Sequence, residues 1–418
     1  MNQSKSTQVL WLQVWGLAAI QGSILLSWVI YNIYLSQMLV AFGFDSSLAS
    51  LILVVENILA ALMEPLMGSL SDNMQYWFGS RFPFITCGII LASVCFILIP
   101  TIFVFGGSTD LTRMLLPIMM VLWALAMTIF RSPVLSLIGR YATATNLPQA
   151  TSILTLVGGI IGAITPLSSK FILQLGPVFT FSFGSLVMLI AAALLRWAGP
   201  NYQVKKLLPL EPHPTKISNR SDISLRGLLI IFVTGMATVI GFRLLMQNFT
   251  QVLKLHNLGG QPNLILMTVS LTLAIVALPM GSLAKSLGIR RTLISGLIAM
   301  AIFSCTVLLG HNVILAMAVA ITLGISFSLV SNSTIPFALS MVPEDRGGLG
   351  TGMYFSGSAI ANVLFILFLG KPTNFTLTLG VFLSAIIFLI GSFFVASSRP
   401  KVKLTEVLTR LQERNTKV

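Results

Sequence analysis

The sequence predicts an all-α membrane protein of twelve transmembrane helices in two pseudo-symmetric six-helix bundles, and three observations predict it. The 418-residue chain is 56% hydrophobic and 9% charged, with a mean hydropathy of +0.94, whereas soluble domains carry about 25% charged residues. Twelve apolar runs reach the roughly 20 residues that a helix needs to cross a hydrocarbon layer about 30 Å thick. A polar stretch, Gly199 to Arg226, separates six of these runs from the other six.

The first six runs are 11–41, 47–71, 83–105, 113–139, 148–173 and 177–198; the second six are 226–251, 261–285, 291–309, 312–341, 348–370 and 375–397. The first is too long for the apolar core of a signal peptide and has no small-residue cleavage site before the next helix, so it is expected to be a retained helix. The connecting stretch holds Pro200, Pro209, Pro212 and Pro214 with Lys205, Lys206, Lys216, Arg220 and Arg226. The chain thus divides into a bundle over 1–198, a loop over 199–225, a bundle over 226–397 and a basic tail over 398–418. A weak echo relates the halves: GSLSD followed by Gly79 and Arg81 after the second helix, and GSLAK followed by Gly288 and Arg290 after the eighth, as an internal repeat produces.

Charge sets the orientation. A net charge of +14 would suit a nucleic-acid partner, but the basic residues sit in short connections and the tail, where the positive-inside rule puts them. With both ends cytosolic, 19 of the 25 Lys and Arg lie inside, four outside (Arg113, Lys170, Lys254, Lys371) and two within helices (Arg131, Arg243). The expected setting is a multi-pass protein of the plasma (inner) membrane, monomeric, with lipid and a small molecule as partners and no nucleic acid. In the tail, Leu404, Val407, Leu408 and Leu411 fall at helical spacing among basic residues, which suits either a helix on the anionic leaflet or a solvated tail. Cys87, Cys95 and Cys305 lie in apolar segments and read as small hydrophobes, neither disulfides nor metal ligands.

Four ionisable side chains interrupt the apolar helices: Glu56 and Glu64 on the second, Arg131 on the fourth and Arg243 on the seventh. Each is costly in hydrocarbon and is expected to face a partner or a watery cavity. At 1.5 Å per residue, Glu64 lies roughly 26 Å and Arg131 roughly 27 Å from the outer starts of their helices, a shared depth that lets them pair. Glu56 and Arg243 lie nearer the outer half and form a candidate second couple across the bundles. A carboxylate whose pKa moves with hydration or with a nearby guanidinium can carry a proton; a permanent ion pair that fixes helix packing is the alternative.

Asp72 ends the second helix where a carboxylate can meet the positive N-terminal end of a neighbouring helix, a candidate latch; Lys285 stands at the equivalent position, so the latch is one-sided. On the first helix Gln21, Trp28 and Asn32 share one face and Ser27, Tyr31 and Tyr34 another. Rings and amides of this kind suit sugar hydroxyls or plain helix packing, and Gln247 and Asn248, one turn past Arg243, read the same way. The glycines at 158, 159 and 162, and at 347, 348, 350, 352 and 357, permit close helix approach. His213, His256 and His311 fall in connections and receive no role. No GxxxxGK[ST] loop occurs, which argues against ATP hydrolysis by this chain.

The run from Gly68, GSLSD with Gly79, Arg81 and Pro83, resembles motif A of the major facilitator superfamily. Its long spacing and terminal RFPFI are similar to the form found in glycoside and sucrose-type cation symporters, of whose three arginines Arg81 alone is present. Residues 333–362, STIPFALSMVPEDRGGLGTGMYFSGSAIAN, are similar to the tenth and eleventh helices of the sucrose-type branch. The resemblance implies a central cavity between the bundles, alternating access, and proton coupling with sodium as the other option, without a further cofactor. It implies a cation-binding role for Glu64, at an acidic-Pro step like that of melibiose-type relatives, and a gating role for Gly68, Asp72, Gly79 and Arg81. Arg140 stands about where these symporters place an acidic residue, and Tyr354 and Phe355 where they tend to carry an amide.

The leading expectation is therefore a secondary transporter, not an enzyme, that moves a sugar or glycoside with protons through Glu64 and Arg131. Proton-driven export of an amphipathic metabolite or drug, and ligand binding or assembly without flux, are the alternatives.

Overall fold

A computed structural model describes residues 9–78, 80–107, 109–199, 223–256, 262–370 and 376–398. Most of the central loop, Gly79, Lys371 and the basic tail, expected as either a surface helix or a solvated tail, lie outside the described residues. Among the described residues there are helices and no strands, and twelve of the helices are long and apolar enough to cross a membrane. They are α1 Trp11–Ala41, α2 Ser47–Phe78, α3 Phe82–Phe105, α4 Asp110–Ser136, α5 Leu147–Leu175 and α6 Pro177–Ala198. The second six are α7 Leu225–Leu255, α8 Pro262–Leu287, α9 Ile289–Thr306, α10 Val313–Ser340, α11 Gly347–Leu364 and α12 Leu377–Ser397. A further turn, Ile138–Tyr141, continues α4, and a π-helical stretch, Phe365–Leu369, continues α11.

α2 reaches Phe78, beyond the end at 71 that hydropathy predicts. The drop at Asp72 and Asn73 marks groups satisfied by the start of α11 and by Arg346 just before it, so polarity there records a partner and not a helix end. At the opposite end of α2 the Ser47 amide donates to Asp45 Oδ1 at 2.7 Å; the Ser47 bonds hold the Asp45 carboxyl below its ordinary pKa.

Each half has its own core. In the first, Trp28, Tyr31, Phe96, Trp123 and Phe181 stack in a chain with centroid separations of 4.4–5.8 Å, spacings at which aromatic pairs attract beyond their buried area. In the second, Phe249, Phe337 and Phe388 are fully or almost fully buried among aliphatic residues. The outward surface stays apolar, with Leu62, Phe105, Phe171, Ile314 and Phe393 all exposed, as a surface solvated by lipid requires.

The halves meet along two crossings, α2 with α11 and α5 with α8. Both crossings rely on absent side chains: a Cβ on Gly68 or Gly348 would run into the other residue's carbonyl, and a Cβ on Gly281 would lie 2.6 Å from Ser152 Cβ. Backbones this close are typical of membrane helix pairs built on small residues. We call the face where α1 begins and α12 ends the terminal face, and the opposite one the distal face.

Candidate functional site

At the terminal face, both oxygens of Asp72 cap the start of α11: Gly348 N donates to Oδ1 and Leu349 N to Oδ2, each at 2.9 Å. These are amides of the first turn, which no carbonyl of their own helix can satisfy, and the helix dipole favours an anion there. Arg81 pairs with the same carboxylate and donates to Ser136 Oγ. Burial pushes the Arg81 guanidinium below its ordinary pKa, and Asp72 opposes that shift. Arg346 Nη1 donates to Asn73 Oδ1 at 2.9 Å, and Ser132 Oγ donates to Gly348 O at 3.0 Å. Bonds from α2 and α4 to α11 thus seal this face. At the α5–α8 crossing the corresponding Lys285 is exposed, with Nζ 3.5 Å from Gln149 Oε1, so the latch is one-sided here too.

One to two turns deeper lie Glu64 and Arg131. Glu64 is followed by Pro65, which has no amide hydrogen and so leaves the Ala61 carbonyl without its helical donor. Ser356 of α11 supplies the replacement, Oγ to Ala61 O at 2.6 Å. The break in α2 thus becomes a bond between the halves. Arg131 donates from Nε at 2.7 Å, with Nη2 at 2.6 Å, and both reach the same oxygen, Glu64 Oε1. Oε2 is buried with no hydrogen-bond partner among the described residues. The Glu64 side chain is 0% exposed while that of Arg131 is 21% exposed, so water reaches the cation and not the carboxylate. The Arg131 guanidinium lies 4.4 Å from the ring centre of Phe355, on α11.

The other polar groups are arranged differently from the expected couple. Glu56 does not meet Arg243: its Oε1 accepts from the Tyr31 hydroxyl within the first half. Glu56 and Arg243 have similar depths, but a helix also has faces, and Glu56 is turned into its own bundle. Tyr31 is therefore fully buried behind the α1 stripe. Of that stripe, Gln21 and Trp28 are half-buried and Asn32 is exposed; Gln21 Oε1 and Trp28 Nε1 have no partner among the described residues. Arg243 is exposed, 5.4 Å from the Phe365 ring centre, and no ion pair holds it among the described residues. Gln247 Nε2 lies 3.5 Å from Leu369 O.

The sequence profile of the Major Facilitator Superfamily matches residues 17–365, most of the chain. The chain belongs to the major facilitator superfamily. This superfamily protein shares its fold with the human organic anion transporter MFSD10 (TETRAN), at a TM-score of 0.64 and 12% identity over 92% of this chain and 99% of that one. It also shares it with the proton:xylose symporter XylE, solved with 6-bromo-6-deoxy-D-glucose bound, at a TM-score of 0.66 and 14% identity over 93% and 96% of the two chains. Identities this low carry the fold and nothing finer. No curated protein matches the sequence. Membership makes this an integral, multi-pass membrane protein with a transporter's fold, in contact with the bilayer and suited to a small-molecule substrate.

Several residues that build this superfamily member's site escaped the sequence reading. Ser132 and Thr351 approach with oxygens 3.4 Å apart, and Asn362 Nδ2 donates to Asn57 Oδ1 at 3.0 Å across the halves. Amides inside apolar helices are themselves a signal, and Asn57 and Asn362 carried it. Ser132 and Thr351 gave none, because hydroxyls in membrane helices usually bond to their own backbone.

Proposed function

We propose that this protein is a proton-coupled symporter that moves a sugar or glycoside by alternating access, with Glu64 as the proton carrier. The observation that carries the reading is the state of Glu64: one oxygen holds Arg131 and the other is buried with no partner among the described residues. A buried carboxylate with a vacant acceptor is ready to take a proton, and protonation would release the guanidinium it now holds. Alternatively the vacant oxygen suits a sodium ion. The stripe of Gln21, Trp28 and Asn32 offers an aromatic face and amide rims, the chemistry that recognises sugars. In this reading both chain ends are cytosolic, in line with the positive-inside rule, and the sealed terminal face is the cytosolic one.

The test is uptake of a panel of labelled sugars into proteoliposomes, with an imposed inward proton gradient, an imposed sodium gradient, or neither. The expected result is uptake driven by the proton gradient and lost in Glu64→Gln. Uptake indifferent to both gradients and to that substitution would remove the coupling role.

A second reading, export of an amphipathic organic anion, draws on Arg243. It lies 18 residues into the 31-residue α7, near the middle of the helix, with no ion pair among the described residues, and an exposed guanidinium there is tolerated only against water or an anionic ligand. Counterflow of amphipathic anions that is lost in Arg243→Gln, with no sugar uptake, would favour it.

A further inference from the structure

Arg131 belongs to α4, in the first half, yet its guanidinium is covered by a residue of the second half, Phe355, at 4.4 Å. The neighbouring positions of α11 surround the same site. Thr351 Oγ1 lies 3.0 Å from Ser132 O, and Gly352 packs on the Glu64 carbonyl and Pro65. Ser356 bonds to Ala61 O, and the Tyr354 ring meets Phe355 edge-on at 5.4 Å. α11 thus brings hydroxyls, a ring and no carboxylate to the pair, so Glu64 is the one anion that holds Arg131 among the described residues.

We infer that Phe355 is the lid of the Glu64 site and clamps Arg131 from the opposite half. While Asp72 holds the start of α11, the ring presses the guanidinium onto Glu64 Oε1 and keeps water from Oε2. A cation over a desolvated ring face is attracted to it as well as being shielded by it. When α11 withdraws from α2, the ring leaves with it, because Gly352 and Phe355 lie less than one turn apart on the same helix. Glu64 then opens toward the terminal face, where Oε2 and water exchange a proton: during uptake the Oε2–H bond breaks and hydronium forms, and the reverse transfer from hydronium to Oε2 leaves water. Phe355 is a positioning residue, acting through Arg131, and makes access to the coupling carboxylate depend on the gate. This role rests on the reading of Glu64 as proton carrier, but its test requires no transported solute.

The test is labelling of Glu64 by the hydrophobic reagent dicyclohexylcarbodiimide, which attacks protonated carboxyl groups, in the full-length protein in liposomes, with modification at each glutamate read by mass spectrometry. Phe355→Ala and Phe355→Leu are expected to raise the Glu64 labelling rate by about fivefold, the size of a ring–cation attraction. Phe355→Tyr and Phe355→Trp, which keep a ring face, stay within about twofold of the parent. Parent-like labelling in Phe355→Ala would overturn the proposal, and so would parent-like labelling in Phe355→Leu, since bulk alone would then suffice. A parallel rise at Glu56, on the same helix but under Tyr31, would also overturn it by showing general loosening. If Glu64 labelling responds as expected while uptake proves indifferent to Glu64→Gln, the lid stands and proton symport does not.

Discussion

At the scale of single residues, the Glu64–Arg131 pair divides its two roles between two oxygens. Oε1 takes both guanidinium contacts, which fixes the arginine, while Oε2 has no partner among the described residues. Such a pair is costly to break from one side, because the remaining charge stays buried without a partner. Arg131→Met is therefore expected to destabilise the protein by about 3–5 kcal/mol, measured as a lowered unfolding midpoint in detergent. Adding Glu64→Gln to that variant should recover most of the loss, since the pair is then removed as a unit; additive losses would show that the two side chains do not depend on each other. Counting residues from the helix ends put Glu64 and Arg131 at one depth because the rise of a helix is fixed. The same count failed for Glu56 and Arg243, because depth leaves the facing direction open and Tyr31 had already claimed Glu56.

At the scale of elements, α2 and α11 behave as one jointed unit. Pro65 frees a carbonyl that Ser356 takes up, Gly68 and Gly348 let the backbones touch, and Asp72 caps the partner helix. A methyl group at Gly352 would lie 2.5 Å from the Glu64 carbonyl oxygen and 2.8 Å from Pro65 Cα, helix backbone that cannot yield. Gly352→Ala should therefore push α11 outward at a cost of about 1–3 kcal/mol and open the terminal face. Asp72→Asn should act in the same direction by a different route, replacing one acceptor of the α11 amides with a donor and removing the charge that holds Arg81. For both variants the readout is thiol labelling of Leu339→Cys in a background lacking Cys87, Cys95 and Cys305. Leu339 packs between Gly139 and Gly347 in the closed gate, so its labelling should rise; an unchanged rate would mean that neither contact holds the gate.

At the scale of the whole molecule, the bonds between halves run from the terminal face to Asn57 and Asn362, about two-thirds of the way along α2. One face is closed, and the arginine beneath it remains in contact with water. Under the alternating access proposed above, those bonds break in a second arrangement, and the two states must lie within a few kcal/mol of each other. A disulfide across the gate should freeze the cycle. Ser132→Cys with Thr351→Cys places sulfurs where two hydroxyl oxygens now stand 3.4 Å apart, so oxidation is expected to stop transport of any solute the parent carries, and reduction to restore it. Transport that survives verified cross-linking would mean that the α4–α11 contact is kept throughout the cycle.

The sequence by itself determined the solvent, the number of crossings, the division into two sets of six and the shared level of Glu64 and Arg131. All of these follow from hydropathy, from a fixed rise per residue and from the scarcity of charge, properties that add up along the chain. Tertiary structure alone decided which face each polar group presents. It turned Tyr31 inward onto Glu56, set Arg243 beside Phe365, joined Ser356 to the carbonyl freed by Pro65 and laid Phe355 over Arg131. These contacts join residues up to 295 positions apart. Each depends on how closely two backbones approach, and that distance is set by glycines on both sides of a crossing, which no single helix records.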